Sequence, residues 1–396
     1  MILTADRLFD GAGATIPNAW LQVEGDRILA VGSGPIPPPQ ETRRDFPGCT
    51  ILPGLIDTHV HLVFSALNSH EEIIAQVCGE TDDQLLARTL ANARAALRAG
   101  VTTVRDCGGR GRVVQQARDR IRRGEAEGAD ILACGAPITT TNGHCHWLGL
   151  VADGEAAVDA AARMLREDAD FLKVMMTGGN MTARSDPMRP QYEPGTLCRI
   201  ADLGRRAGKH TAAHVLSRSA IPHCVASRVR TIEHCDWRAE TDRYEFDPDL
   251  ARALIDQNQY VGLTMSGMAR RAFLPEARDD SGPYRRLDMR FECERRMIDF
   301  GVPFTLHSDA GVRLTPIDRF ALGLRAAVVE LRLTPAEAIR AATVTAAEAI
   351  GLSDRGVLAA GKRADLLVVR GNPLADLAAL ENVRAVIQAG REVPPG

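Results

Sequence analysis

Eight short apolar segments, at 55–61, 101–106, 130–135, 171–176, 210–215, 229–234, 260–264 and 303–308, recur through the middle of this 396-residue chain. Each has the length of a strand, and the stretches between them are helical wherever their spacing can be read. Thr81-Asp82-Asp83-Gln84 forms a capping box, Leu85, Leu86, Leu90, Ala93 and Leu97 follow at helical spacing, and Gly100 stops the run. Thr334-Pro335-Ala336-Glu337 starts another helix, with Pro at its first position and Glu at its third, and Gly351 is expected to end it. Strands alternating with helices predict a parallel sheet covered by helices, and eight repeats favour a (β/α)8 TIM barrel over an open doubly wound sheet. No GxGxxG follows an early strand, which lowers the odds of a dinucleotide fold further.

The two ends differ from this middle. "WLQVEGDRILAVG" (20–32) places two apolar runs around Glu24-Gly25-Asp26, a hairpin signal, and "SGPIPPPQ" (33–40) is a proline-rich loop. "ADLLVVRGNPLADL" and "VRAVIQAGREV" near the C-terminus are again short β-branched runs between turn residues. The α/β chain is therefore expected to carry a small β-sandwich built from residues 1–50 and 353–396 beside a barrel over 51–352.

Composition excludes several classes. A formal charge of −3 and the lack of a polybasic run argue against nucleic acid or an anionic membrane as partner. No run of about 18 uncharged apolar residues predicts a membrane span. Nine cysteines without CxxC spacing fit reduced thiols, and the start "MILTADRLFDGAG" lacks a basic, then apolar, leader, so a cytoplasmic location is expected.

A parallel strand buried on both faces should be apolar throughout, so polar residues at its C-terminal end require a reason. In a barrel that end carries the chemistry. His59 and His61 end the first strand and, spaced by two, share a face. Lys173 lies in the fourth strand, His214 in the fifth, His234 in the sixth and Asp309 just after the eighth. Singly, each has an ordinary reading: a hydrogen-bonded histidine pair, satisfied core histidines, a helix-capping aspartate. Lys173 inside "FLKVMM" resists one, because a buried ammonium costs several kcal/mol unless paired or neutralised. Together the six form a set suited to a divalent metal.

This order of HxH, Lys, His, His and Asp resembles the amidohydrolase superfamily. "ILPGLIDTHVHL" looks like its first strand, and "GVLAAGKRADLLVVRGNPLADLAAL" like its returning C-terminal β-segment. "NGHCHWLG" (142–149) and "FLKVMMTGGNMTARSDP" (171–187) are similar to the branch of zinc-dependent prolidases, arginine or lysine carboxypeptidases and ochratoxin-type amidases. The resemblance implies a carbamate on Lys173, formed from carbon dioxide and shared between two divalent ions, with zinc favoured. His59, His61 and Asp309 would bind one ion and His214 and His234 the other. A bridging hydroxide would be the nucleophile, Asp309 would shuttle its proton, and His144 would reach the substrate. Burial in general disfavours an ammonium, and only a neutral amine attacks carbon dioxide, so the chemistry is self-consistent.

The implied activity is hydrolysis of an amide bond in a small molecule, a dipeptide or N-acyl amino acid. A cyclic amide, imidazolone or lactone is the alternative substrate, run by the same or a mononuclear site, and a catalytically silent scaffold is the reading from another class. Homo-oligomer formation is left open. Where the branch has Gly-Thr-Asp, this chain has His307-Ser308-Asp309, and His307 is read as a core histidine or one that orients a ligand. His146 belongs to a second HxH on the loop with His144, and Cys107 is read as a buried thiol. Trp237 is a pocket wall or a scaffold residue, and the charged run 268–286 is a loop that could bring Arg270 or Arg271 to an anionic substrate.

Overall fold

The computed structural model describes residues 1–35, 42–265 and 283–394. Most of the proline-rich loop, and Arg270 and Arg271 in the charged run, lie outside the described residues.

The chain opens with four strands, β1 (Ile2–Phe9), β2 (Thr15–Glu24), β3 (Arg27–Ser33) and β4 (Arg43–Pro53). β2 and β3 form the expected hairpin, turning at Gly25, whose φ of +56° is the left-handed region glycine enters without a Cβ clash. Next come β5 (Leu55–Val60), β6 (Val101–Asp106), β7 (Asp130–Ala133), β8 (Leu172–Met175), β9 (Thr211–His214) and β10 (Thr231–Glu233). A short hairpin, β11 (Arg238–Glu240) and β12 (Arg243–Tyr244), precedes β13 (Tyr260–Thr264) and β14 (Phe304–His307). The last strands are β15 (Leu366–Arg370), β16 (Val383–Gln388) and β17 (Arg391–Glu392).

The terminal strands meet in one seven-stranded sheet, in the order β17-β16-β15-β4-β1-β2-β3. Both ends of the chain thus close one element, with its own core around Leu8, Leu21, Ile51, Leu366 and Ile387. The eight strands expected from sequence are all present and pair in parallel, β5-β6-β7 as one sheet and β8-β9-β10-β13-β14 as another. Isolated parallel bridges join the two sheets at both edges, Val60 to Ala310 and Ile138 to Val174. Across the first of these, Asp309 N–H donates to the His59 carbonyl at 2.8 Å, which sets the aspartate beside the β5 histidines.

Helices such as Asp82–Arg98 follow the strands, and its capping box is formed as expected, Thr81 and Gln84 bonding reciprocally. The stretch from Pro335 departs from expectation. It is two helices, Pro335–Ala341 and Val344–Ala349, not one running to Gly351. The Ala342 carbonyl accepts from Ile56 N–H at 2.8 Å instead of continuing the helix, and Thr343 turns its Oγ1 back to the Ile339 carbonyl at 2.7 Å. Anchoring to β5 breaks the helix. Among the described residues no helix is long and apolar enough to cross a membrane.

Candidate active site

The C-terminal ends of the parallel strands open onto a cavity of about 250 Å3. His59, His61, His144, His214, His234 and Asp309 line it, and Lys173 lies beyond the lining, fully buried. Lys173 in β8 pairs in register with Ala212 of β9, the strand that ends at His214. Six of the seven site residues expected from sequence thus share one cavity, and Lys173 is buried in the strand next to the one that carries His214.

Backbone geometry helps to place two of them. His234 directly follows β10 and Asp309 lies two residues past β14, and they hold φ of +66° and +55°. Residues with a Cβ occupy that region at a cost of about 1–3 kcal/mol, and such strain concentrates at functional sites. Here hydrogen bonds hold it in place: His234 N–H donates to the Gly262 carbonyl and Asp309 N–H to that of His59, both at 2.8 Å.

Two of the histidines have a nitrogen assigned by its neighbour. The Gly108 carbonyl can only accept, so His61 donates from Nδ1 at 3.0 Å and turns Nε2 to Asp309 Oδ1 at 3.3 Å. His59 faces Glu233 Oε2 with Nδ1 at 3.2 Å, and its Nε2 lies 3.6 Å from Asp309 Oδ1. These three residues bring one ligand atom each within 4.8 Å of one another. His234 Nδ1 meets Thr264 Oγ1 at 2.6 Å, and Thr264 meets His307 Nε2 at 3.3 Å. His307 is thus a buried histidine that helps to orient His234 through a hydroxyl.

The remaining atoms are conspicuous for lacking partners. Lys173 Nζ, His214 Nε2 and His144 Nδ1 are buried with no hydrogen bond among the described residues. The His144 and His214 rings stack, with centroids 4.5 Å apart. Burial, then neighbouring cationic groups, holds His59, His214 and His234 well below the ordinary imidazole range. Burial also takes His144 to about 3 and His307 to about 4. His61 differs. Burial pulls it down, but the Asp309 hydrogen bond and charge outweigh that and raise it. Neutral imidazoles are the ligand form for a metal.

Other expectations are resolved by the same geometry. His146 is half-buried, its Nδ1 bonding the Gly143 carbonyl at 3.0 Å, and it does not line the cavity. Trp237 is a scaffold residue, buried against Phe246 at 5.2 Å and absent from the cavity wall. Cys107 is buried, and burial pushes its thiol up to about 12, which leaves an inert group.

The sequence reading missed several polar residues. Glu233, immediately before His234, is fully buried and accepts at Oε1 from Arg105 Nη2 and Thr231 Oγ1, both at 2.5 Å. Burial resists its ionisation, yet Arg105 and then Lys173 bring it down to about 2. Asp57 accepts from Ser308 N–H at 3.1 Å and Ser308 Oγ at 2.5 Å, tying β5 to the Asp309 turn. His70, Asn180, Asp236 and Arg290 also line the cavity. The signal for Glu233 was available: like Lys173, it is a charged residue inside a segment that should be apolar.

The amidohydrolase family profile matches residues 50–393. The chain belongs to the amidohydrolase family. Ochratoxinase from Aspergillus niger is 25% identical, over 97% of this chain and 84% of its own. Imidazolonepropionase from Deinococcus radiodurans is 28% identical, over 92% of this chain and 88% of its own. Among solved structures, a Xaa-Pro dipeptidase with bound methionine in the active site superposes with a TM-score of 0.85 at 25% identity, covering 99% of both chains. This amidohydrolase is accordingly a hydrolase acting on carbon–nitrogen bonds.

Proposed function

We propose that this amidohydrolase cleaves the amide bond of a dipeptide or N-acyl amino acid at a binuclear divalent metal site. The observation that carries the reading is the pair of orphaned buried atoms, Lys173 Nζ and His214 Nε2, set among histidines held neutral. A buried amine without a partner costs several kcal/mol, and a carbamate between two cations would relieve it. The donor set also fits: imidazoles, one carboxylate and an oxygen-bearing lysine carbamate suit zinc. His59, His61 and Asp309 would hold one ion, His214 and His234 the other, and carboxylated Lys173 would be shared. The architecture assumed is a closed (β/α)8 barrel over 51–352 with a β-sandwich of residues 1–50 and 353–396.

When bound, the metal ions would polarise the scissile carbonyl and lower the pKa of an attacking water towards about 7. The chain's own residues do the rest. Asp309, facing both β5 histidines, accepts the proton of the water and returns it to the departing nitrogen. His144, stacked on His214 in the cavity lining, meets the substrate.

The similarity to imidazolonepropionase favours a second reading, hydrolysis of a cyclic amide, imidazolone or lactone at the same or a mononuclear site. Two measurements separate them: metal per chain after purification without chelator, and a screen of dipeptides, N-acyl amino acids and small cyclic amides. About two equivalents with turnover of linear amides supports the proposal. Turnover confined to cyclic substrates, with one or two equivalents bound, supports the second reading, and a chain that binds no divalent ion refutes the first.

A further inference from the structure

We infer that Glu233 is a positioning residue that dictates which nitrogen of His59 is offered to the metal, an inference that rests on the metal-site reading above. Its carboxylate is fully buried and its two oxygens are divided between two tasks. Oε1 is clamped at 2.5 Å by Arg105 Nη2 and by Thr231 Oγ1. Oε2 faces His59 Nδ1 at 3.2 Å. A carboxylate only accepts, so His59 must carry its proton on Nδ1, and Nε2, on the side of Asp309, is left with the lone pair.

Arg105 is itself fixed from several sides. Its Nε donates to the Thr58 carbonyl at 2.7 Å, one residue before His59, and Nη1 donates to Thr231 Oγ1 at 3.0 Å. The guanidinium therefore ties the backbone beside His59 to the anion that orients the His59 ring. Arg105 and Glu233 are both within 1% of complete burial, so neither charge has water to fall back on.

Glu233, His59 and His307 also lie close enough together to be considered a metal group of their own. The hydrogen bonds argue against it. A cation there would face the Arg105 charge across the same carboxylate and would displace the His59 proton. His307 Nε2, at 3.7 Å from Oε2, is beyond hydrogen-bond range and turns to Thr264 instead.

The geometry yields a reversal that simple loss of packing would not. In Glu233→Gln the shape is kept, but Arg105 only donates, so the amide must turn its oxygen to Arg105 and its NH2 to His59. His59 Nδ1 then has to accept, the proton moves to Nε2, and the ligand nitrogen is blocked. Replacing Arg105 as well, in Arg105→Met/Glu233→Gln, frees the amide to turn over, with its NH2 on Thr231 and its oxygen on His59.

The test is the histidine tautomer in the metal-free protein, read from long-range 1H–15N correlations, with His59→Asn identifying the His59 signals. Zinc affinity is measured in parallel by chelator competition, and melting temperature confirms folding. Expected are Nδ1–H in the wild type, Nε2–H in Glu233→Gln with zinc binding weakened about 10–100-fold, and recovery of Nδ1–H in the double variant. Glu233→Gln retaining the Nδ1–H tautomer, or a third bound zinc lost with Glu233, overturns the inference. A wild type that binds no zinc but shows the Glu233-dependent tautomer sinks the proposed function and with it the metal-directing role, leaving only Glu233's control of the His59 tautomer.

Discussion

The two ends of the parallel strands differ in what their ionisable side chains meet. At the amino end Asp130, which opens β7, is closed by Arg355 at 2.7 Å and Arg363 at 2.8 Å, and Arg355 also reaches Thr103 at 3.1 Å. These contacts fasten the segment leading to the terminal sheet onto the strands. At the carboxyl end, Lys173 Nζ, His214 Nε2 and His144 Nδ1 are buried with no partner among the described residues. The first arrangement contributes stability by itself. The second is costly unless something from outside completes it, and that is the mark of a site. The same division, stability below and chemistry above, is general for parallel barrels.

The largest expected effect comes from breaking the incomplete end. Lys173→Ala is expected to abolish nearly all turnover and one of the two metal equivalents, and to lower the melting temperature of the metal-loaded protein, since the lost ion no longer stabilises the folded state. A short-chain carboxylate in the buffer is expected to restore part of both; unchanged activity in Lys173→Ala would end the carbamate proposal. Next is Asp309→Asn, expected to keep most of the metal and lose on the order of 10²–10⁴ in kcat through proton transfer. Steady-state kinetics with metal analysis check it, and a wild-type kcat would move the proton role elsewhere.

Breaking the closed end should do the reverse. Asp130→Asn removes the carboxylate shared by Arg355 and Arg363, which keep Asp354 and Asp365 as partners, and is expected to cost about 1–3 kcal/mol of stability, read by denaturant unfolding, with kcat per folded molecule unchanged. Its pH dependence has a definite sign. Burial opposes ionisation of Asp130, but Arg355 and Arg363 outweigh it and hold the carboxyl below its ordinary range. The contribution is therefore full above the unfolded value of about 4 and drains as pH falls through the lower folded value. The stability gap between wild type and Asp130→Asn should persist at neutral pH and close in strong acid. Smallest is Thr81→Ala, which removes the capping box of the helix Asp82–Arg98 and should cost about 1 kcal/mol with no change in turnover.

Much of this contrast was legible in the chain. The eight parallel strands appear within about three residues of the apolar segments because strands buried on both faces leave continuous apolar runs. The metal-ligand candidates showed as polar exceptions at the ends of those runs. Glu233 and Arg105 are exceptions of the same kind, yet they stabilise each other across 128 residues of sequence, and one chain alone does not say which buried charges meet. The break at Ala342 was hidden for a related reason, since its cause is a hydrogen bond from distant Ile56. Cavity residues such as His70 and Arg290 carry no strand-end signature. They reach the site from elements whose placement is a tertiary fact.

The most direct measurement is anomalous diffraction at the zinc edge from crystals grown with zinc and bicarbonate. The account expects two peaks, one beside His59, His61 and Asp309 and one beside His214 and His234, with added density on Lys173 Nζ between them. A bare Lys173 side chain and no anomalous peak in the cavity would contradict it.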